Sequence, residues 1–461
     1  MVRLILPIFF LISLNLKSQI IPNQTSYNQN IIWESVFTDG PPGKVNRGVV
    51  DSDGNCAVVF MPDNMARVHK IDGNSGELIW TKSIYDKIGF GISEINDQNR
   101  VDYLISGGAG NSQERWLCRL NGDDGSIMWE QTYTYSGNQY QFDGIRMTTF
   151  ESDGYIYASG FIGGDEAGTI FIVYGGQAMI MKIDPTTGNE IWTHTNYNSE
   201  YALSVVMDNN QNLYYGGVMY DDNLKITKVN TDGEEIWTRD LSNTINIIPA
   251  DLAIDKTNET ILYGCHTARQ GDGEPFDYTC VSLDYEANIN WIKHYANPRG
   301  YSLDEIRNEL YGIKVRNDII YMFGGSGDES NYSAYNPPFE PSDVWNGWVL
   351  QTNLEGNILQ SDVFCHDNVN TATEYGDLTE NGYVIFNDTD AQGDTEVGVI
   401  KVSTENNTVF IQENPNNKKT LIKKINLVGQ IVNKNLDAVI FEIYDDGSVL
   451  KKINLNYCNG K

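Results

Sequence analysis

The sequence predicts an all-β protein, a seven-bladed β-propeller closed by an N-terminal strand and followed by a small β-sandwich. Three observations carry this expectation. A phrase of the form Lys-x-Asp-x-x-x-Gly-x-x-x-Trp returns along the chain at the spacing of propeller blades. Two further strand signals precede each copy. The first and last units are incomplete in complementary ways.

The phrase runs from Lys70 to Trp80, Arg119 to Trp129, Lys182 to Trp192, Lys228 to Trp237 and Ser282 to Trp291, with a degenerate sixth, lacking the Trp, from Gln351 to Leu359. Starting at Trp33, the tryptophans that end the phrases lie 47, 49, 63, 45 and 54 residues apart. Each phrase reads as strand, tight turn, strand. Ahead of it stand a first strand, such as Leu203–Asp208, and a second, such as Leu104–Gly108, Tyr157–Gly160, Leu213–Val218, Leu262–Cys265 or Tyr321–Gly325. Each unit is therefore strand a, turn, strand b, loop, strand c, turn, strand d, with the Trp on d as an apolar anchor between neighbouring blades. The seventh unit has Thr373–Leu378, Tyr383–Phe386 and Val397–Val402 but no strand d. Asn30–Phe37 reads as a strand d with nothing before it. Pairing the two closes the ring and removes an open sheet edge.

The repeated phrase resembles the pyrroloquinoline-quinone-like repeat, which occurs in quinoprotein dehydrogenases and in cofactor-free binding propellers. The resemblance covers most of 47–402 and implies blade architecture only. Quinone dehydrogenases of that kind are usually eight-bladed and carry adjacent cysteines. This chain has none, so no cofactor is expected.

The ends differ from the body. Arg3, the apolar run Leu4–Leu14 and the polar stretch to Ser18 fit a secretory signal over 1–18, too short for a bilayer span of about 20 residues. No other segment is expected to cross a membrane. The formal charge is −30, which disfavours nucleic acid. It is uneven: residues 411–461 hold 8 Lys against 5 acidic residues, whereas 19–410 hold 22 basic against 57 acidic. The expected domains are a signal over 1–18, a propeller over 19–410 and a separate module over 411–461.

That module reads as strands at Thr420–Leu427, Gly429–Val432, Ala438–Tyr444 and Ser448–Ile453, with an Asp-Gly turn. The stretch Lys418–Val432, followed by Ile443-Tyr-Asp-Asp-Gly-Ser-Val-Leu-Lys-Lys452, resembles the type A C-terminal sorting domain of type IX secretion cargo from Bacteroidetes. It departs from that pattern at Ala438–Phe441 and in its Cys458–Lys461 tail. The resemblance implies passage through the outer membrane by the secretion machinery, and a secreted or cell-surface destination.

Candidate site residues follow from loop length. The a–b and c–d turns are short, while the opposite face carries long connections at Phe161–Gln177, His266–Asp277 and Ser326–Asn346. A glycan or a surface protein is the expected partner on that face. Trp345 could stack on a sugar, and Asp328, Glu329, Asp388 and Asp390 lie in the same set. Asp272 and Glu274 add to the acidic loops, whose hard oxygens suit a structural Ca²⁺, although no EF-hand pattern is present. The alternative is a polysaccharide-degrading lyase or glycoside hydrolase using His266, Arg269 and His366 at the rim of blades five to seven. A His–Tyr–Arg cluster or paired carboxylates in the funnel would favour the enzyme, and an apolar plug would favour binding or scaffolding. Of six cysteines, Cys265 and Cys280 flank one loop on neighbouring strands and form the one pair proposed as a disulfide. The other reading is that all six are buried thiols.

Overall fold

The computed structural model describes residues 19–20, 30–38, 44–62, 65–97, 100–109, 114–133, 142–164, 175–219, 223–245, 247–268, 276–298, 306–328, 345–364, 366, 370–392, 396–404, 421–426, 439–444 and 449–453. Met1–Thr404 and Glu405–Lys461 form two units. The expected signal over 1–18 lies outside the described residues.

The first unit begins with β1 (Gln19–Ile20) and β2 (Ile31–Phe37). Blade one is β3 (Lys44–Val50), β4 (Cys56–Met61), β5 (Met65–Ile71) and β6 (Leu78–Tyr85). Blade two is β7 (Lys87–Asp97), β8 (Arg100–Ala109), β9 (Glu114–Asn121) and β10 (Ile127–Tyr133). Blade three is β11 (Phe142–Phe150), β12 (Ile156–Gly164), β13 (Gln177–Ile183) and β14 (Glu190–Asn196). Blade four is β15 (Val205–Met207), β16 (Leu213–Val218), β17 (Leu224–Val229) and β18 (Glu235–Asp240). Blade five is β19 (Ile247–Asp255), β20 (Thr260–Ala268), β21 (Phe276–Asp284) and β22 (Ile289–Ala296), with β1 added in parallel at its outer edge. Blade six is β23 (Ile306–Arg316), β24 (Ile319–Asp328), β25 (Asn346–Asn353) and β26 (Ile358–Phe364). Blade seven is β27 (Thr371–Thr379), β28 (Gly382–Thr389) and β29 (Glu396–Ser403), completed by β2.

β2 pairs antiparallel with β29 from Ile31↔Val402 to Phe37↔Val397, so the ring closes as the two incomplete units require. The first strands of the blades touch in sequence, β3, β7, β11, β15, β19, β23, β27 and back to β3, and so line the axis. The turns have a local cause. In the c–d turn of blade one, Asp72 Oδ1 accepts from the backbone N–H of Asn74 (2.9 Å) and Ser75 (2.8 Å), and Gly76 takes φ 75°.

The repeated Trp and Lys work as a pair. Except at Trp237, each indole N–H donates to one carbonyl in the c–d turn of the next blade: Trp33 to Gly73 (3.1 Å), Trp80 to Gly122 (3.0 Å), Trp129 to Pro185 (2.9 Å), Trp192 to Thr231 (3.1 Å) and Trp291 to Leu354 (3.0 Å). The cation opening the phrase reaches that same carbonyl: Lys70 to Gly122 (2.9 Å), Arg119 to Pro185 (2.9 Å) and Lys182 to Thr231 (3.2 Å). The degenerate sixth phrase now has a reason. Blade seven takes its c and d strands from opposite ends of the chain and has no c–d hairpin to receive a Trp.

The core lies between blades. Ala57 and Val59 of blade one pack with Ile92, Tyr103 and Trp116 of blade two. Val58 and Phe60 pack with Val384, Phe386 and Trp33 of blade seven, so the closure is apolar as well as hydrogen-bonded.

The described residues of the second unit form one antiparallel sheet, β30 (Leu421–Asn426), β31 (Val439–Tyr444) and β32 (Val449–Ile453), in that order. Three of the four expected strands are here. The Gly429–Val432 strand, and with it any second layer of a sandwich, lies outside the described residues. Among the described residues no helix is long and apolar enough to cross a membrane.

Candidate functional site

Six of the seven inner strands carry a β-bulge at the same level. One residue in each is left out of the pairing: Asn46, Phe90, Arg146, Ala250, Tyr311 and Glu374. Leu203, just ahead of the short β15, occupies the seventh position. A bulge leaves its extra residue unpaired and re-aims the side chain. All seven face one small cavity on the axis, bordered also by Arg47 and Tyr375. Tyr-Gly recurs at Tyr311-Gly312 and Tyr375-Gly376. A Cβ on Gly312 would come within 2.8 Å of the Tyr375 ring, so only glycine admits the neighbouring blade's aromatic there.

A buried ion pair ties the axis together. Asp251, on β19, receives Arg47 Nη2 (2.9 Å), the Tyr375 hydroxyl (3.0 Å) and the Ile313 N–H (3.3 Å), which ties blades one, five, six and seven together. Arg47 also lies over the Tyr375 ring, 4.2 Å from its centre. Burial works against the Arg47 charge, but Tyr375 and Asp251 outweigh it and hold the guanidinium protonated. At Arg146 burial dominates, and with Arg47 nearby it pushes the pKa down to about 9.

Toward the long-loop end the chemistry turns acidic. Glu374 is held well above the usual carboxylate range by burial, and then by Asp388 and Glu309. Asp388 accepts from the Val45 N–H (2.6 Å), and burial raises it to about 7. These are carboxyl groups that can still carry a proton near neutrality, a property used in general acid chemistry.

The residues singled out in the sequence separate into two places. Around the entry to blade seven, the Trp345 N–H donates to Asn370 Oδ1 (2.9 Å), and Asn370 donates to Asp390 Oδ2 (2.8 Å). His366 joins this cluster through Thr371 Oγ1 (2.7 Å) and pairs with Glu34 (2.8 Å). Trp345 is no free platform: one side of its ring lies on Gly325, where an added Cβ would come within 2.8 Å. His266 sits apart on β20, 6% exposed, edge-on to Phe276 and Tyr311, and burial lowers its pKa to about 3. A buried neutral imidazole inside an aromatic box is a poor general base for a rim substrate. Tyr311 beside it donates to Glu309, which pairs with Arg307 (3.1 Å). A His–Tyr–Arg grouping thus exists, built from Arg307. Arg269 and Glu329 lie outside the described residues, as does the side chain of Asp328, and of Asp272 and Glu274 nothing is described. No group of three or more metal-binding side chains occurs among the described residues.

The proposed disulfide is corrected. Cys265 and Cys280 are on paired strands but one step out of register, Cys265↔Thr279 and Gly264↔Cys280, so their side chains enter different inter-blade cores. Both are free, buried thiols, as are Cys56 and Cys118. Cys365 and Cys458 lie outside the described residues. The funnel is filled by a mixture: the Arg47–Asp251 ion pair, Arg146 and Glu374 stand beside Phe90, Leu203 and Ala250, so the apolar filling considered from the sequence is present only in part.

Fold and site together define a closed seven-bladed β-propeller whose axis is sealed by a charged network. Among solved structures the chain is similar to the WD40 β-propeller domain of Doa1, with 12% identity and a TM-score of 0.49 over 82% of this chain and 98% of that one. It is also similar to the Cps50 (Swd1) β-propeller domain of Myceliophteria thermophila, at 9%, 0.48, 80% and 100%. The quinohemoprotein alcohol dehydrogenase of Comamonas testosteroni follows at 10%, 0.45, 78% and 67%. No known protein family and no curated protein matches the chain by sequence.

Proposed function

We propose that this protein is an exported, cell-surface binding propeller that takes a glycan or protein partner on the face bearing the long connections. One observation carries the reading: the bulge ring, tied across the axis by the Arg47–Asp251 ion pair, and the Trp345–Asn370–Asp390 cluster give that end of the scaffold a floor with hydrogen-bonding groups. A body this acidic disfavours uronate-rich glycans, so the expected partner is a neutral polysaccharide or a basic protein surface. Export by a type IX sorting tail rests on the residue pattern of Lys418–Val432 and Ile443–Lys452.

Two measurements test this. The full chain run in native gels cast with neutral polysaccharides should be retarded by at least one of them without shortening it. Retardation by none of them, together with no protein captured from the producer's own surface fraction, sinks the binding reading. Removal of 418–461 should leave a folded propeller held in the periplasm. Its arrival outside the cell would refute the sorting reading.

A second reading, a glycoside hydrolase, is favoured by one observation, the two buried carboxyls of Glu374 and Asp388, both raised by burial and Glu374 further by Asp388. It predicts new reducing ends in the same incubation, abolished by Glu374→Gln. His266→Ala would not be the diagnostic change.

A further inference from the structure

A wider cavity, about 350 Å³, opens at the other end of the axis, where the inner strands of blades two to six reach their short a–b turns. Loop length in the sequence assigns nothing to this face. Phe150, Val206 and Ile254, all half-buried, give the cavity apolar walls from three consecutive blades. On the blade-two side the Ser93 and Thr148 hydroxyls stand 2.6 Å apart. Two ion pairs complete the lining: Lys256 with Glu151 (3.8 Å), and Lys314 with Asp377 of blade seven (3.5 Å).

We infer that this bowl binds a neutral polyhydroxylated small molecule, a free mono- or disaccharide. The charges decide the class. Lys256 and Lys314 already have their carboxylates, and Glu94, the remaining carboxylate of the wall, is held by the Ser52 N–H (3.0 Å) and hydroxyl (2.5 Å), so an anionic or cationic ligand would have to displace a partner already in place. A hydroxyl accepts from a lysine and donates to a carboxylate without breaking the pair. The C–H face of a sugar ring lies naturally against Phe150 and Val206. The volume is at the small end of the ~300–1,000 Å³ range of small-molecule pockets, which suits one or two rings rather than a polymer. This site is independent of the long-loop face and of whatever binds there.

The test uses the full chain and saturation-transfer NMR with glucose, galactose, N-acetylglucosamine, maltose and cellobiose. Glucuronate and glutamate serve as charged probes. At least one neutral sugar should receive saturation, and should lose it in Val206→Trp, which fills the bowl, at an unchanged unfolding midpoint. Lys256→Met should weaken the same sugar by roughly tenfold, the loss of one charge-assisted hydrogen bond. If Val206→Trp does not fold, Ile254→Phe takes its place. Silence from all five sugars, transfer that persists in the filled variant, or preference for glucuronate or glutamate would each overturn the assignment. Polysaccharide retardation that survives Val206→Trp belongs to the long-loop face.

Discussion

Ala287 shows how closely single residues are fitted to the repeat. The c–d turns of blades one to three place Gly76, Gly125 and Gly188 at φ 70–75°, each beneath the Trp ring of the preceding blade. Blade five has Ala287 at φ 63° instead, and the Trp237 indole N–H that should dock there is buried without a hydrogen bond. The Cβ that strains the backbone also stands where the ring would settle. Ala287→Gly should therefore stabilise the protein by up to about 1 kcal/mol, whereas Gly188→Ala should cost about 2 kcal/mol or more; urea unfolding midpoints would check both. His266 makes a pH prediction. Its folded pKa of about 3 lies below the ordinary 6.5, so the unfolded chain takes up a proton that the folded chain refuses. Stability from this residue is complete above pH 6.5 and is lost as pH falls toward 3. His266→Phe should lose less thermal stability than the parent between pH 7 and pH 4. Asp388, raised to about 7, acts in the opposite direction, so the comparison of variant with parent isolates the histidine.

Strands and turns obey a simpler economy. The d strand of one blade and the c–d turn of the next form a single recognition unit: indole N–H and Lys or Arg on one side, a shared carbonyl on the other. Trp129→Phe removes one such donor and should cost about 1 kcal/mol more than Trp237→Phe, whose indole has no hydrogen bond to lose. Thermal unfolding of the two variants would read the difference. These units were legible in the sequence because each depends on residues within one repeat and the same residues of the next. The bulge ring was not. A bulge is visible only against its partner strand, and its residues, from Asn46 to Glu374, share no side-chain chemistry that a repeat comparison would detect. The Tyr-Gly pairs at 311–312 and 375–376 were the available signal.

At the scale of the whole molecule, closure is the decisive event. β2 covers the open edge of β29, and Trp33 docks onto blade one. A chain lacking residues up to Phe37 keeps 27 of the 28 blade strands, yet exposes the β29 edge and the apolar face of blade seven. It should elute as aggregates in size-exclusion chromatography, with a broader and lower thermal transition than the parent. A chain beginning at Gln19, which keeps β1 and β2, should elute without aggregates.

Blade count, strand order and the shared seventh blade were determined by the sequence alone, because each follows from a repeat that must bury its apolar faces against an identical neighbour. Tertiary structure decided what lies on the axis. Arg47, Asp251 and Tyr375 are 124 to 328 residues apart in pairs, and only ring closure brings the Arg47 guanidinium (2.9 Å) and the Tyr375 hydroxyl (3.0 Å) onto Asp251. It also decided that Cys265 and Cys280 face different cores, since a one-residue offset between strands sends side chains to opposite faces of the sheet. Periodicity carries information about neighbours in the repeat. The centre of the ring is where all seven repeats meet, and their differences there are not periodic.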